Sequence, residues 1–128
     1  VLWASDNTAA SHETALTVYG LADAMPAAIH LTTTRRFRGH RRGVIIHRAP
    51  LSAAEIRGFN AVPVTNPART LVDVARSSDP SLAQQAAAEA LDQGLLTRRR
   101  LQAALDSAPD AERLRATLGL GPQPANAS

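Results

Sequence analysis

No lysine and no cysteine occur in the 128 residues, and only four side chains are aromatic: one Trp, one Tyr and two Phe. Each absence removes a class of function. Without cysteine there is no disulfide framework and no thiolate metal site, so a reducing, cytoplasmic setting is the expectation. Without lysine there is no Schiff-base amine, no P-loop lysine and no lysine of the kind many nuclease sites turn on phosphate. No apolar run nears the ~18 residues that span a bilayer, so no membrane partner is expected. Nor does any stretch read as a charged, apolar and small-residue leader.

What the chain does hold is arginine and alanine. All 14 basic residues are arginine, set against 11 acidic ones, for a formal net charge of +3. Alanine supplies 26 residues and Leu, Ile, Val and Phe together 28, which predicts a modest core of small side chains. Arginine and alanine in excess are also what a GC-rich genome encodes, so arginine by itself is no mark of function. The length suits one domain, expected over residues 1–118, with 119–128 (ending GPQPANAS) as a disordered tail.

Along the chain, Thr8 to Tyr19 reads as a helix with Ala9, Ala10, Leu16 and Tyr19 near one face. Asn7 or Thr8 would cap it and Gly20 would end it. AIHLTT (28–33) and GVIIHR (43–48) read as strands, joined by an arginine-rich hairpin loop. Ser52 and Glu55 stand at capping-box spacing for a short helix within Leu51 to Gly58. Ala61 to Val64 is a short strand that Pro63 assigns to an edge or a strand end. Thr65-Asn66-Pro67 starts a helix, PARTLVDVAR, that buries Leu71, Val72 and Ala75. Asp79-Pro80 starts the next, closed by Gly94. Thr97 caps RRRLQAALDSA, and an amphipathic piece around Leu114 and Leu118 follows. The expected class is α/β (α+β): a small two- to three-stranded sheet, flanking helices and a C-terminal helical run.

Three blocks, ASHETALTVYGL (10–21), the strand pair IHLTTTRR with GVIIHRAPLSAAEI, and VPVTNPARTLVDVAR (62–76), resemble in order and spacing the C-terminal domain of the AbiEi antitoxin family. LLTRRRLQAAL fits as well, and the likeness spans roughly residues 3–106. The resemblance implies a non-enzymatic antitoxin of a bacterial abortive-infection or toxin–antitoxin system. Its implied partner is a nucleotidyltransferase-like toxin, with operator DNA bound through a winged helix joined to this domain in the intact protein. The 128 residues include no such winged helix, so transcriptional regulation by this chain would lean on other contacts. The motif positions Ser11, His12, Pro67, Arg69 and Asp73 carry over as structural.

Eight arginines form two clusters that fit phosphate or an acidic partner. The first is Arg35, Arg36, Arg38, Arg41 and Arg42, with Phe37 and His40 interleaved. Guanidinium forks donate bidentately and stay charged, although a solvated loop is the bland reading. The second is Arg98, Arg99 and Arg100, in a first helical turn where the macrodipole disfavours cations. The preceding helix, Gly94-Leu95-Leu96-Thr97 and this helix read either as an ordinary antiparallel pair or as a helix-turn-helix. A stand-alone nucleic-acid-binding protein is therefore the alternative function.

Catalytic readings fail on the residues. His12, His30 and His47 are separated by 18 and 17 positions, matching no compact ligand motif, and no carboxylate is evident beside them. No metal, cofactor or small-molecule substrate is expected. Ser11, His12 and Asp73 do not compose a triad if Ser11 and His12 point about 100° apart on one helix. Arg69 and Asp73, at i and i+4, read as a surface ion pair worth a few tenths of a kcal/mol.

Overall fold

The structure, a computed structural model, describes residues 8–24, 28–34, 43–59 and 62–120. Its elements run β1 (Thr8–Ala10), α1 (His12–Tyr19), β2 (Ile29–Thr33), β3 (Val44–Arg48), a 3₁₀ turn (Ala53–Glu55), β4 (Ile56–Phe59), β5 (Val62–Thr65), α2 (Pro67–Ser77), α3 (Pro80–Asp92), α4 (Arg98–Asp106) and α5 (Ala111–Thr117). The five strands form one mixed sheet in the order β3-β2-β1-β5-β4. The α+β class stands, but the sheet is larger than the two or three strands expected.

The two additional strands come from segments whose composition reads as helix. Thr8 to Ala10 pairs with β2 on one side, Ala10 opposite Leu31, and meets β5 on the other at Val64. Alanine favours a helix in isolation, but a central strand satisfies its backbone on both sides. Ala9 and Ala10 are buried there, and the helix starts only after Ser11, whose backbone is still extended. Similarly, the Ser52–Glu55 capping box forms but closes a single 3₁₀ turn. The chain then extends into β4, antiparallel to β5.

β2 and β3 run parallel, with Ile29 opposite Val44 and Thr33 opposite Arg48. The expected hairpin is thereby corrected, since a two-strand turn cannot join parallel neighbours. Residues 35–42, with the first arginine cluster, lie outside the described residues. β5 is an interior strand by position, and Pro63 sits ahead of its single pairing point with β1, where the missing N–H breaks no ladder bond to that strand.

The helices start where the sequence signals them. Asn66 accepts a hydrogen bond from the Arg69 amide at 2.8 Å, with Pro67 in the first turn of α2. Thr97 accepts from the Arg100 amide at 3.1 Å. Gly20 ends α1 at φ 71°, and its amide bonds back into the last turn. The main core lies among the helices rather than on the sheet. Leu16, Leu71, Val74, Leu101, Leu105 and Leu114 interlock with the alanine face of α3, Ala83, Ala86, Ala87 and Ala90. That i, i+3, i+4, i+7 stripe of methyl groups lets neighbouring helices come close, so a core with few bulky side chains still packs. A smaller cluster, Ala10, Ala15 and Val64, joins α1 to the sheet. Helix α4 packs chiefly on α2 and α5, not as an antiparallel partner of α3.

Leu71 is fully buried within this helical core. Leu71→Ala should therefore cost about 2–5 kcal/mol in urea denaturation, with the m-value unchanged. A loss below about 1 kcal/mol would contradict the packing described.

Candidate functional site

Two constellations and one cleft stand out. The first constellation is built on α2. Arg69 is the third residue of the helix, in its first turn, and its side chain is only 12% exposed. Its Nε donates to both carboxylate oxygens of Asp73, at 3.0 and 3.1 Å. Its Nη1 donates to the Pro50 carbonyl at 2.7 Å and to Glu55 Oε2 at 3.1 Å. The pair expected on the surface is thus buried, Asp73 being 5% exposed, and one guanidinium holds two carboxylates and a backbone oxygen. Burial pushes the Asp73 carboxyl above its usual range, and Arg69 only partly opposes this. At Glu55 burial also pushes upward, but the Ser52 amide and Arg69 outweigh it and leave that carboxyl low. Below this network, Thr65 Oγ1 and Thr70 Oγ1 lie 2.6 Å apart, tying β5 to α2.

The second constellation was not legible as a unit. His12, His30 and His47 stack: ring centroids of His12 and His47 are 3.7 Å apart at 16°, and those of His30 and His47 are 5.2 Å apart at 15°. His30 and His47 lie on one face of the β2–β3 register, as alternation predicts. His12 joins them because it leaves β1 with φ 53°, a left-handed turn rather than a helical step. That turn also overturns the 100° separation expected of Ser11 and His12. Ser11 Oγ lies 2.8 Å from His12 Nδ1 and accepts from Thr32 Oγ1 at 2.7 Å. Ser11 is wholly buried and Asp73 is engaged by Arg69, so the pair has neither substrate access nor a free third member.

A carboxylate does stand beside the stack, Glu13 Oε1 being 3.8 Å from His30 Nε2. His30 Nδ1 and His47 Nε2 are 3.0 Å apart, sharing one N–H···N bond. Stacked rings aim their nitrogens along parallel planes instead of at one point. Among the described residues no group of three or more His, Asp or Glu has the geometry to hold a metal ion. Burial first, and then the neighbouring His47, His30 and arginines, lowers His12 to about 3. His47 is lowered as well, by burial and His30, against the pull of Glu13.

Of the predicted arginines, Arg98, Arg99 and Arg100 are exposed on the first turn of α4, which has no acidic residue. They make no ion pair among the described residues. Arg69, Arg76, Arg113 and Arg115, by contrast, are claimed by Glu55, Asp73, Asp110 and Asp106. The cleft, about 710 Å³, lies between α2, α4 and the segment after β3. Sequence reasoning missed it, although Ala103 and Ala104 on α4 and Ser107 at its C-cap, none with a large side chain, were its signal.

The AbiEi antitoxin C-terminal domain matches residues 8–121. The chain belongs to that family. No curated protein and no solved structure matches it. As an AbiEi antitoxin domain it has a place in a toxin–antitoxin system, with a cognate toxin as partner. Among the described residues of the antitoxin domain, no helix is long and apolar enough to cross a membrane.

Two outcomes follow from the site. Arg69→Met leaves two carboxylates without their hydrogen-bonded cation, one of them buried, and should cost about 3–5 kcal/mol in chemical denaturation. Adding Asp73→Leu should recover part of that loss; equal stability of wild type and single variant would refute the network. The folded His12 pKa lies below the unfolded one, so on acidification the unfolded chain takes the proton first. Stability should be flat above about pH 6.5 and fall by roughly 2 kcal/mol by pH 5, at about 1.4 kcal/mol per unit for one histidine. His12→Gln should flatten the slope, and a wild type with no slope would contradict the stack.

Proposed function

We propose that this chain is the toxin-neutralising domain of an antitoxin, one domain that counters a nucleotidyltransferase-like toxin in the bacterial cytoplasm. It acts without catalysis, cofactor or small-molecule substrate. The observation that carries the reading is the family match across residues 8–121, which includes the α2 signature and its buried Arg69–Asp73–Glu55 network. Ser11, His12, Pro67, Arg69 and Asp73 act in it as framework, since each is spent on internal contacts or on starting a helix. Growth of cells expressing the neighbouring operon gene tests it. Co-expression of the folded chain should restore growth, and persistent arrest would refute neutralisation.

A second role is favoured by one specific observation. Arg98, Arg99 and Arg100 are exposed, adjacent and unpaired among the described residues, as phosphate-contacting side chains are. With Arg35, Arg36, Arg38, Arg41 and Arg42 they would add backbone affinity to operator binding by a winged helix, and so to transcriptional regulation. They would also serve a stand-alone nucleic-acid-binding protein. Binding to random-sequence duplex should then weaken with salt, and the log–log slope should drop by about 0.9 for each phosphate contact removed by Arg→Ser. An unchanged slope in the Arg98/Arg99/Arg100 triple Ser variant would exclude this cluster from the contact.

A further inference from the structure

The two edges of the sheet differ. At one edge β4 carries the exposed Arg57 and then Gly58, and both residues weaken further pairing. At the other, β3 opens Val44-Ile45-Ile46, three β-branched residues in a row, and Ile45 is 44% exposed. β3 holds no proline, glycine or acid, and its one arginine is Arg48 at the end. Which of its backbone groups are free follows from those that are bonded. Ile29 donates its N–H to the Gly43 carbonyl at 2.7 Å, and Ala49 donates to the Thr33 carbonyl at 3.2 Å. Backbone groups alternate in direction along a strand. Gly43, Ile45, His47 and Ala49 therefore face β2, while Val44, Ile46 and Arg48 turn their N–H and C=O outward. Among the described residues no strand pairs with that outward side.

From this we infer that β3 pairs with β3 of a second copy of this chain, antiparallel about a two-fold axis at Ile46, so that one sheet runs through the dimer. The outward positions select that occupant, because they are symmetric about Ile46. Ile46 exchanges both bonds with Ile46 of the second copy, and Val44 does the same with Arg48 at each end. Every outward group of both strands is then satisfied at once. Charge selects the antiparallel sense. It sets the two Arg48 side chains at opposite ends of the ladder, where a parallel pairing would put them side by side. On one face Ile46 meets its own copy, and on the other the exposed Ile45 lies against His47. Five residues a side bury much less than the roughly 800 Å² per partner of a stable interface, so the dimer is weak and forms at high concentration. None of this rests on the antitoxin reading.

Sedimentation of the purified chain over a range of concentrations reads the dimer, and cysteine cross-linking reads its register. Wild type should sediment as a monomer when dilute and shift toward the dimer mass as concentration rises. Ile46→Pro removes the central outward N–H without touching a bond to β2, and should weaken association by about tenfold or more. The chain has no cysteine, so an introduced one can pair only with its own copy. Ile46→Cys should form a disulfide across the two-fold axis under mild oxidation, since residues paired in this way stand about 5.5 Å apart at Cα, within disulfide range. Val44→Cys, which faces Arg48 of the second copy, should not. Circular dichroism checks that each variant is folded, and should Ile46→Pro fail to fold, the two cysteine variants still decide. A monomer at every concentration, with no cross-link at position 46, would overturn the proposal. So would association that Ile46→Pro leaves unchanged, or equal cross-linking from positions 44 and 46, since either puts the contact elsewhere.

Discussion

A single guanidinium joins segments of the antitoxin domain that are far apart in the chain. Arg69, from the first turn of α2, reaches Asp73 on its own helix, Glu55 at the end of the 3₁₀ turn and the carbonyl of Pro50. The fixed fork of arginine is what allows this, since its donors diverge in one plane and none can be lost by deprotonation. A lysine would offer a point charge and satisfy one carboxylate well. The lack of lysine in the whole chain is a matter of composition, but at this position arginine is required by geometry. Through Arg69 the segment after β3 is held over α2, and that closure forms one wall of the cleft.

The core illustrates how an alanine-rich chain can still enclose itself. Leucines from α1, α2, α4 and α5 meet a face of α3 that carries only methyl groups, so depth comes from close approach and not from bulk. The sheet contributes little apolar volume and instead buries hydroxyls in pairs, Thr65 with Thr70 and Thr32 with Ser11, beside a stack of one buried and two half-buried histidines. Such groups are tolerated because each finds a partner, at the expense of stability under acid.

Electrostatics divides the arginines by task. Those on α2 and α5 neutralise carboxylates and hold helices in place, and those at the start of α4 face solvent with no counter-charge among the described residues.

Much of the helical half was legible in the residues. Asn66-Pro67, Thr97 and Gly20 mark their helix ends by local chemistry, and the periodicity of Leu71, Val72 and Ala75 marks a buried face. These signals act within one turn of chain, so they survive without any tertiary context. What local chemistry does not contain is long-range pairing. Thr8–Ala10 and Ile56–Phe59 become strands only because β2 and β5 stand ready to bond them, and that overrides the helical preference of alanine and the capping box. His12 enters the stack, Asp73 goes under cover and the α2–α4 cleft opens for the same reason. Each depends on where distant segments meet, which hydrogen-bond closure and packing decide after the local rules have had their say.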